Sequence, residues 1–216
     1  TDGSGNTATC EQIVTVVDNI PPTITCLAAV SVNVDAGLCT ASSVDLGTAP
    51  AGLDNCSVSS VTNNAPAIFN LGDTTVTWTV TDGSGNIATC TQTVTVTDDE
   101  LPEITCPATV SVSADADLCT ASGVALGVPT TSDNCSVASV TNNAPAIFPL
   151  GNTTVTWTVT DGAGLTATCN QTVTVTDGEN PTIACPANVN ANVDAGLCTA
   201  SGVALGVPVN GDNCSV

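Results

Sequence analysis

The sequence predicts an all-β chain of tandem immunoglobulin-like β-sandwich repeats, each of about 80 residues. Three observations lead there. Thr and Val alternate from Thr75 to Thr81 and again from Thr91 to Thr97, and a two-residue period of β-branched side chains marks half-buried strands. The same text returns at a fixed period: Cys10, Cys90 and Cys169 lie 80 and 79 positions apart, as do Cys26, Cys106 and Cys185, and Cys39, Cys119 and Cys198. Short strand-like stretches separated by Gly, Pro and Asn fill each period, and no helical pattern interrupts them.

The chain opens with 1–18, "TDGSGNTATCEQIVTVVD", which repeats the second half of a strand pair present whole at 75–98 and 154–177. Boundaries placed after each such strand give the C-terminal part of a preceding repeat (1–18), full repeats at 19–98 and 99–177, and the N-terminal part of a following repeat (178–216). The two end pieces together lack the segment matching 59–80, so the chain reads as a window on a longer array. Within 19–98, "PTITC" and "VSVNV" supply the first strands after Pro21 and Pro22, and two or three shorter strands fit between Leu38 and Phe69. Val76, Trp78 and Val80 then share one face, which core packing claims, while the intervening threonines share the other. "DGSGN" at 82–86 closes a hairpin, with glycines where positive φ is required. A core of Val, Ala, Leu and one Trp per repeat is thin, so covalent staples make physical sense.

The 216 residues include no Lys, Arg, His or Met, and twenty Asp and Glu give a net charge of −20. Such a surface repels nucleic acid and anionic membranes, whereas calcium, a hard cation, suits it. No apolar run approaches the roughly 18–20 residues of a transmembrane helix, and no basic-then-apolar signal peptide opens the chain. Without His, Lys or Tyr, Ser–His and Cys–His machinery is impossible, and the chain is read as no enzyme. The missing Lys also excludes Lys–Asn isopeptide cross-links and leaves trypsin no cleavage site.

Twelve cysteines at regular spacing, none closer than 13 positions, read as disulfides of an oxidising compartment rather than metal ligands. Four per full repeat allow three connectivities. In sandwiches of this class the first and last strands often run parallel along one edge. Cys26 and Cys90 lie near the starts of those strands with inward parity, which favours Cys26–Cys90 and Cys106–Cys169. By default the remaining cysteines close short loops, Cys39–Cys56, Cys119–Cys135 and Cys198–Cys214, leaving Cys10 and Cys185 to pair outside this window. A bond between the first and last strands would carry tension straight across each repeat.

"PPTITC", then "DNC", then "FNLGDTTVTWTVTD" at 69–82 and "FPLGNTTVTWTVTD" at 148–161 resemble the hyalin repeat, an extracellular immunoglobulin-like module linked to cell adhesion. With the added "GLC" and "DNC" cysteines, the array also resembles those of giant surface proteins of Bacteroidota, some exported by type 9 secretion and used in gliding. The resemblance implies an extracellular, cell-surface location and the stalk of an adhesin. A self-associating structural filament and a calcium-dependent glycan-binding module are the alternatives. The partners implied are neighbouring repeats of the same chain and cell-surface or environmental glycans or proteins. One departure is Leu165, where the other copies carry Asn6 and Asn86.

Acidic positions recur: Asp2, Asp82 and Asp161 at the hairpin; Asp18, Asp98 and Asp177 at the boundary; Asp35, Asp115 and Asp194; and Asp54, Asp133 and Asp212 before Asn-Cys. Two readings stand side by side. In one, calcium is held at the boundary by Asp98, Asp99 and Glu100, with Asp82, Asp18 and Asp177 adding oxygens. In the other, these aspartates cap turns and solvate the surface. Thr74, in "DTT", resembles a short Asp–Ser/Thr glycosylation signal, and Thr is also simply a good strand residue.

Overall fold

Alternating Thr and Val produces the longest strands of each repeat, and the remaining elements are short ladders set around them. A computed structural model describes residues 1–214. The last two residues of the 178–216 piece lie outside the described residues. Contacts divide the chain into Thr1–Glu100 and Leu101–Val216.

In the first unit the strands are β1 (Thr23–Ile24), β2 (Val30–Asn33), β3 (Thr40–Ser42), β4 (Gly52–Leu53), β5 (Val58–Asn63), β6 (Ile68–Asn70), β7 (Gly72–Asp82) and β8 (Ile87–Thr97). The main sheet runs β2-β8-β7-β5, and β1–β4 and β3–β6 form separate two-stranded ladders. The second unit repeats this with β9 (Glu103–Thr105), β10 (Val110–Ser113), β11 (Thr120–Ser122), β12 (Thr130–Ser132), β13 (Val137–Asn142), β14 (Ile147–Pro149), β15 (Gly151–Asp161) and β16 (Thr166–Thr176). It then begins another copy with β17 (Thr182–Ala184) and β18 (Val209–Gly211). No helix occurs among the described residues, and each full repeat is an immunoglobulin-type sandwich.

The parallel edge is present in both repeats. Val30 sits opposite Val94 and Val110 opposite Val173, while the other pairings in each main sheet are antiparallel. One face of β7 is sealed: Val76 and Val80 are fully buried and Trp78 nearly so. In the second repeat Ala121 and Phe148, from the β11–β14 ladder, join Val155, Trp157, Val173 and Val175 in one core. Burying such side chains contributes roughly 1.5–3 kcal/mol each.

A buried glutamine organises that core. Gln92 on β8 is 2% exposed. Its Oε1 accepts the Trp78 indole N–H at 3.0 Å, and its Nε2 donates to Ala28 O at 2.9 Å and Leu46 O at 3.0 Å. Gln171 repeats the set with Trp157, Ala108 O and Leu126 O. Every amide hydrogen and the indole are thereby satisfied, so two loops are pinned to the core without an orphaned polar group.

One expectation fails at the N-terminal end. The stretch Thr7–Val17, whose text matches β8, forms no strand. A strand exists only through a ladder partner, and no described strand pairs with it. Its preceding hairpin loop nonetheless forms: Asp2 Oδ1 accepts the N–H of Ser4 and of Asn6, and Oδ2 accepts Asn6 Nδ2 at 2.9 Å.

The short-loop disulfides are also corrected. Cys106–Cys169 is bonded, with a Cα–Cα distance of 5.7 Å. Cys39 and Cys135 are disulfide-bonded, yet Cys56 and Cys119 carry free thiols. The bonds Cys39–Cys56 and Cys119–Cys135 are therefore not those of the structure. Cys39 follows a loop held at the C-terminal end of its repeat, where Gly37 N–H donates to Glu100 Oε1 at 2.7 Å. Cys56 lies at the opposite end, beside Asp18 and Asp82. The Cys198–Cys214 pairing is likewise absent, since both are free and the neighbour of Cys214 is Cys119. Cys10 and Cys185 are exposed free thiols.

Candidate functional site

The N-terminal end of the first repeat is built from three pieces: the connection Asp18–Ile20, the turn Asp54–Cys56 between β4 and β5, and the loop Asp82–Asn86 between β7 and β8. Asp54 shapes its turn as an Asx motif, its Oδ2 accepting the N–H of Cys56 at 2.8 Å and of Ser57 at 3.0 Å. Gly83 N–H donates to Ser57 O at 3.0 Å. A Cβ at Gly83 would meet Ser57 Oγ at 2.8 Å, so that hydroxyl would have to rotate away, while Gly85, at φ 92°, supplies the left-handed turn.

Asn86 ties the pieces together. Its Nδ2 contacts Asp82 Oδ2 at 2.8 Å and Asp18 O at 3.2 Å. Asp82 Oδ1 accepts two further backbone bonds, from Ser84 and Asn86. Burial pushes the Asp82 carboxyl up, but these hydrogen bonds outweigh it and hold it below its ordinary value.

Two oxygens at this end have no hydrogen-bond partner although both are buried: Asp18 Oδ2 and Asp54 Oδ1. Asp18, Asp54 and Cys56 present ligand atoms within 4.8 Å of one another. The Cys56 thiol is pushed up, chiefly by the adjacent Asp18 carboxylate, which leaves the carboxylates as the hard ligands.

The second repeat has the same turn with a different hairpin. Asp133 Oδ2 accepts the N–H of Cys135 and Ser136, and Asp161 Oδ1 accepts the N–H of Ala163 and Leu165. Leu165 has no side-chain amide to offer. Asp161, 2% exposed, is left with Oδ2 buried and unpartnered, and Asp133 Oδ1 is in the same condition. Ligand oxygens of Asp133 and Asp161 lie within 4.8 Å of each other. Two carboxylates at that distance repel by about 3–4 kcal/mol at an effective dielectric of 20. The chain has no cationic side chain to offset this. An external hard cation would do so.

The remaining expected ligands are placed elsewhere. Asp99 accepts the Asn33 amide, and Glu100 accepts Gly37 N–H. Both clamp the 33–37 loop of the first unit. Asp98 Oδ1 accepts Glu100 N–H at 3.3 Å. Asp177 Oδ1 caps Glu179 N–H at 3.0 Å, and Glu179 in turn accepts Asp117 N–H at 3.2 Å. Asp35, Asp115 and Asp194 cap their turns by accepting the N–H of Ser42, Ser122 and Ser201. Thr74 is half-buried and shares the parity of Val76 on its strand. Asp54 and Asp133 were recognisable as periodic, but only the folded loops show which oxygens go unsatisfied.

Comparisons with known proteins bear on the whole chain. The HYR domain matches residues 17–96 and 97–175. HYR domains are non-enzymatic adhesion-type modules. No curated protein matches the chain. Among solved structures, protocadherin gamma B7 extracellular cadherin domains 1–4 align at 13% identity and TM-score 0.37, covering 80% of this chain and 55% of that one. Drosophila N-cadherin EC1-4 aligns at 12% and 0.37, covering 73% and 50%. Human protocadherin-24 EC1-2 aligns at 13% and 0.37, covering 74% and 100%. The chain thus spans about half the length of the first of these.

Proposed function

Because the chain belongs to the HYR domain family, we propose that it is a stretch of the stalk of an extracellular cell-surface adhesin, with hard cations held at the repeat ends. The observation that carries this reading is the parallel contact between the first and last strands of a repeat, joined by the Cys106–Cys169 bond. Tension entering at one end leaves through a short covalent path, and the residues between the two cysteines bear none of it. In the first repeat Cys26 and Cys90 are free thiols, so the expected Cys26–Cys90 bond is not present there; forming it would complete the same clamp. The Cys90 thiol is pushed up to about 11, first by burial and then by its hydrogen bond with Cys26, which supports that pairing.

Calcium fits the unsatisfied oxygens of Asp18 and Asp54, and of Asp133 and Asp161, since each pair offers hard ligands without a competing cation. The two Trp side chains are buried, at 4% and 7% exposure, so stacking on a sugar ring is not open to them. Single-molecule extension of the oxidised chain tests the stalk. Extension should stop short, and a release of about 200 Å per repeat, the span of about 60 extended residues, would defeat it. Concentration-dependent bundling would point to a filament instead, and binding on a glycan array to a recognition module.

A further inference from the structure

The closing piece of the chain carries the next Asp-Asn-Cys turn, and within the second unit this turn lies against the Leu118–Cys119 loop of the preceding repeat. Two hydrogen bonds cross between them in opposite directions. Asn213 Nδ2 donates to Leu118 O at 3.0 Å, and Cys119 Sγ donates to Asn213 O at 2.8 Å. Cys214 Sγ in turn approaches Leu118 O at 3.9 Å. The turns are thereby clasped so that each cysteine lies over the backbone of the other's neighbour. The Cys214 thiol is pushed up to about 12, chiefly by a hydrogen bond with Cys119 and then by burial and the Asp177 charge.

We propose that Cys119 and Cys214 form a disulfide that joins the Leu-Cys cysteine of one repeat to the Asp-Asn-Cys cysteine of the next, so that the array is stapled across its repeat junctions. A second observation supports the pattern. Cys39, a Leu-Cys residue, and Cys135, an Asp-Asn-Cys residue, are both disulfide-bonded, while the partners that a short loop would give them, Cys56 and Cys119, are free. The chemistry balances with a disulfide oxidant. The Cys119 and Cys214 S–H bonds are lost and one S–S bond forms. Two protons and two electrons pass to the oxidant, whose own disulfide is cleaved to two thiols. Such an oxidant belongs to the compartment that the cysteine content already implies.

The inference goes beyond the stalk reading and is tested without reference to force or calcium. Within a repeat, the clamp between first and last strands makes one domain inextensible. The staple proposed here makes the junction inextensible too, so that a covalent path runs from repeat to repeat independently of the linking backbone.

The reduced full chain is oxidised in a glutathione redox buffer, the monomer is isolated, free thiols are alkylated, and the product is cut on the amino side of Asp without reduction. Every cysteine then falls on its own peptide; Cys119 is in 117–132, Cys135 in 133–160, Cys198 in 194–211 and Cys214 in 212–216. Mass spectrometry should find 117–132 joined to 212–216, lost on reduction. In Cys119→Ser, Cys214 should become fully alkylated, whereas Cys198→Ser should leave the cross-link intact. Joining of 117–132 to 133–160, joining of 194–211 to 212–216, or alkylation of both Cys119 and Cys214 in the oxidised monomer would overturn the proposal.

Discussion

The hairpin loops of the two full repeats differ at one decisive position. In Asp82–Asn86 the last residue is Asn, and its amide satisfies the buried Asp82 carboxylate and reaches Asp18 O. In Asp161–Leu165 the last residue is Leu, and the equally buried Asp161 keeps one oxygen with no hydrogen-bond partner. The backbone of the two loops is the same: Gly85 and Gly164 both sit at φ 92°. The difference teaches that loop shape and carboxylate satisfaction are separable. The first repeat carries its own countercharge in the form of an amide dipole. The second repeat leaves that place for something from outside.

Each repeat has a single Trp, so a Trp→Phe change in one repeat leaves the other with the only indole reporter and allows the comparison to be pressed repeat by repeat. The largest effect is expected from Asp82→Ala. It removes the acceptor of three hydrogen bonds and should cost about 2–4 kcal/mol in urea unfolding read by Trp78, whereas Asp161→Ala should cost less in chelator because it also removes an unsatisfied oxygen. Next comes Asn86→Leu, which turns the first loop into the second. A loss of about 1–2 kcal/mol in chelator, partly recovered with millimolar calcium, is expected from the same measurement.

The reciprocal change, Leu165→Asn, should stabilise the second repeat by about 1 kcal/mol in chelator and shrink the calcium-dependent rise of its melting temperature. An unchanged calcium response would mean that Asp133 and Asp161 hold no ion. The smallest effect is in acid. Asp82 is held below its ordinary value of 3.8, so its stabilisation is complete above that unfolded value and is lost as pH falls through the lower folded one. Asn86→Leu should make the first repeat lose stability at a higher pH on descent, as followed by Trp fluorescence.

Much of the scaffold was readable beforehand because it depends on short-range alternation. The Thr/Val period placed Val76, Trp78 and Val80 inward, and the sandwich class it implied anticipated the parallel edge at Val30↔Val94. Gln92 and Gln171 were invisible, since each sits among polar strand residues, Thr91 and Thr93 or Asn170 and Thr172, that periodicity treats as ordinary. Their meaning lies in carbonyls 45 to 64 residues away. The cysteine pairing misled for a related reason. Cys39 and Cys56 lie seventeen positions apart, and the chain crosses the length of the sandwich between them.

The loop Asp2–Asn6 shows how far local chemistry reaches. It forms the same Asp–Asn hydrogen bonds as Asp82–Asn86 although no ladder flanks it. Turn residues satisfy one another within five positions, so the chain specifies them wherever it lies. Strand period, repeat length and the absence of any cation are likewise properties of the chain itself. Which cysteines meet, which carboxylates face each other and whether Thr7–Val17 becomes a strand are decided only when distant segments close into a sandwich. Each of those requires a partner that the local sequence does not contain.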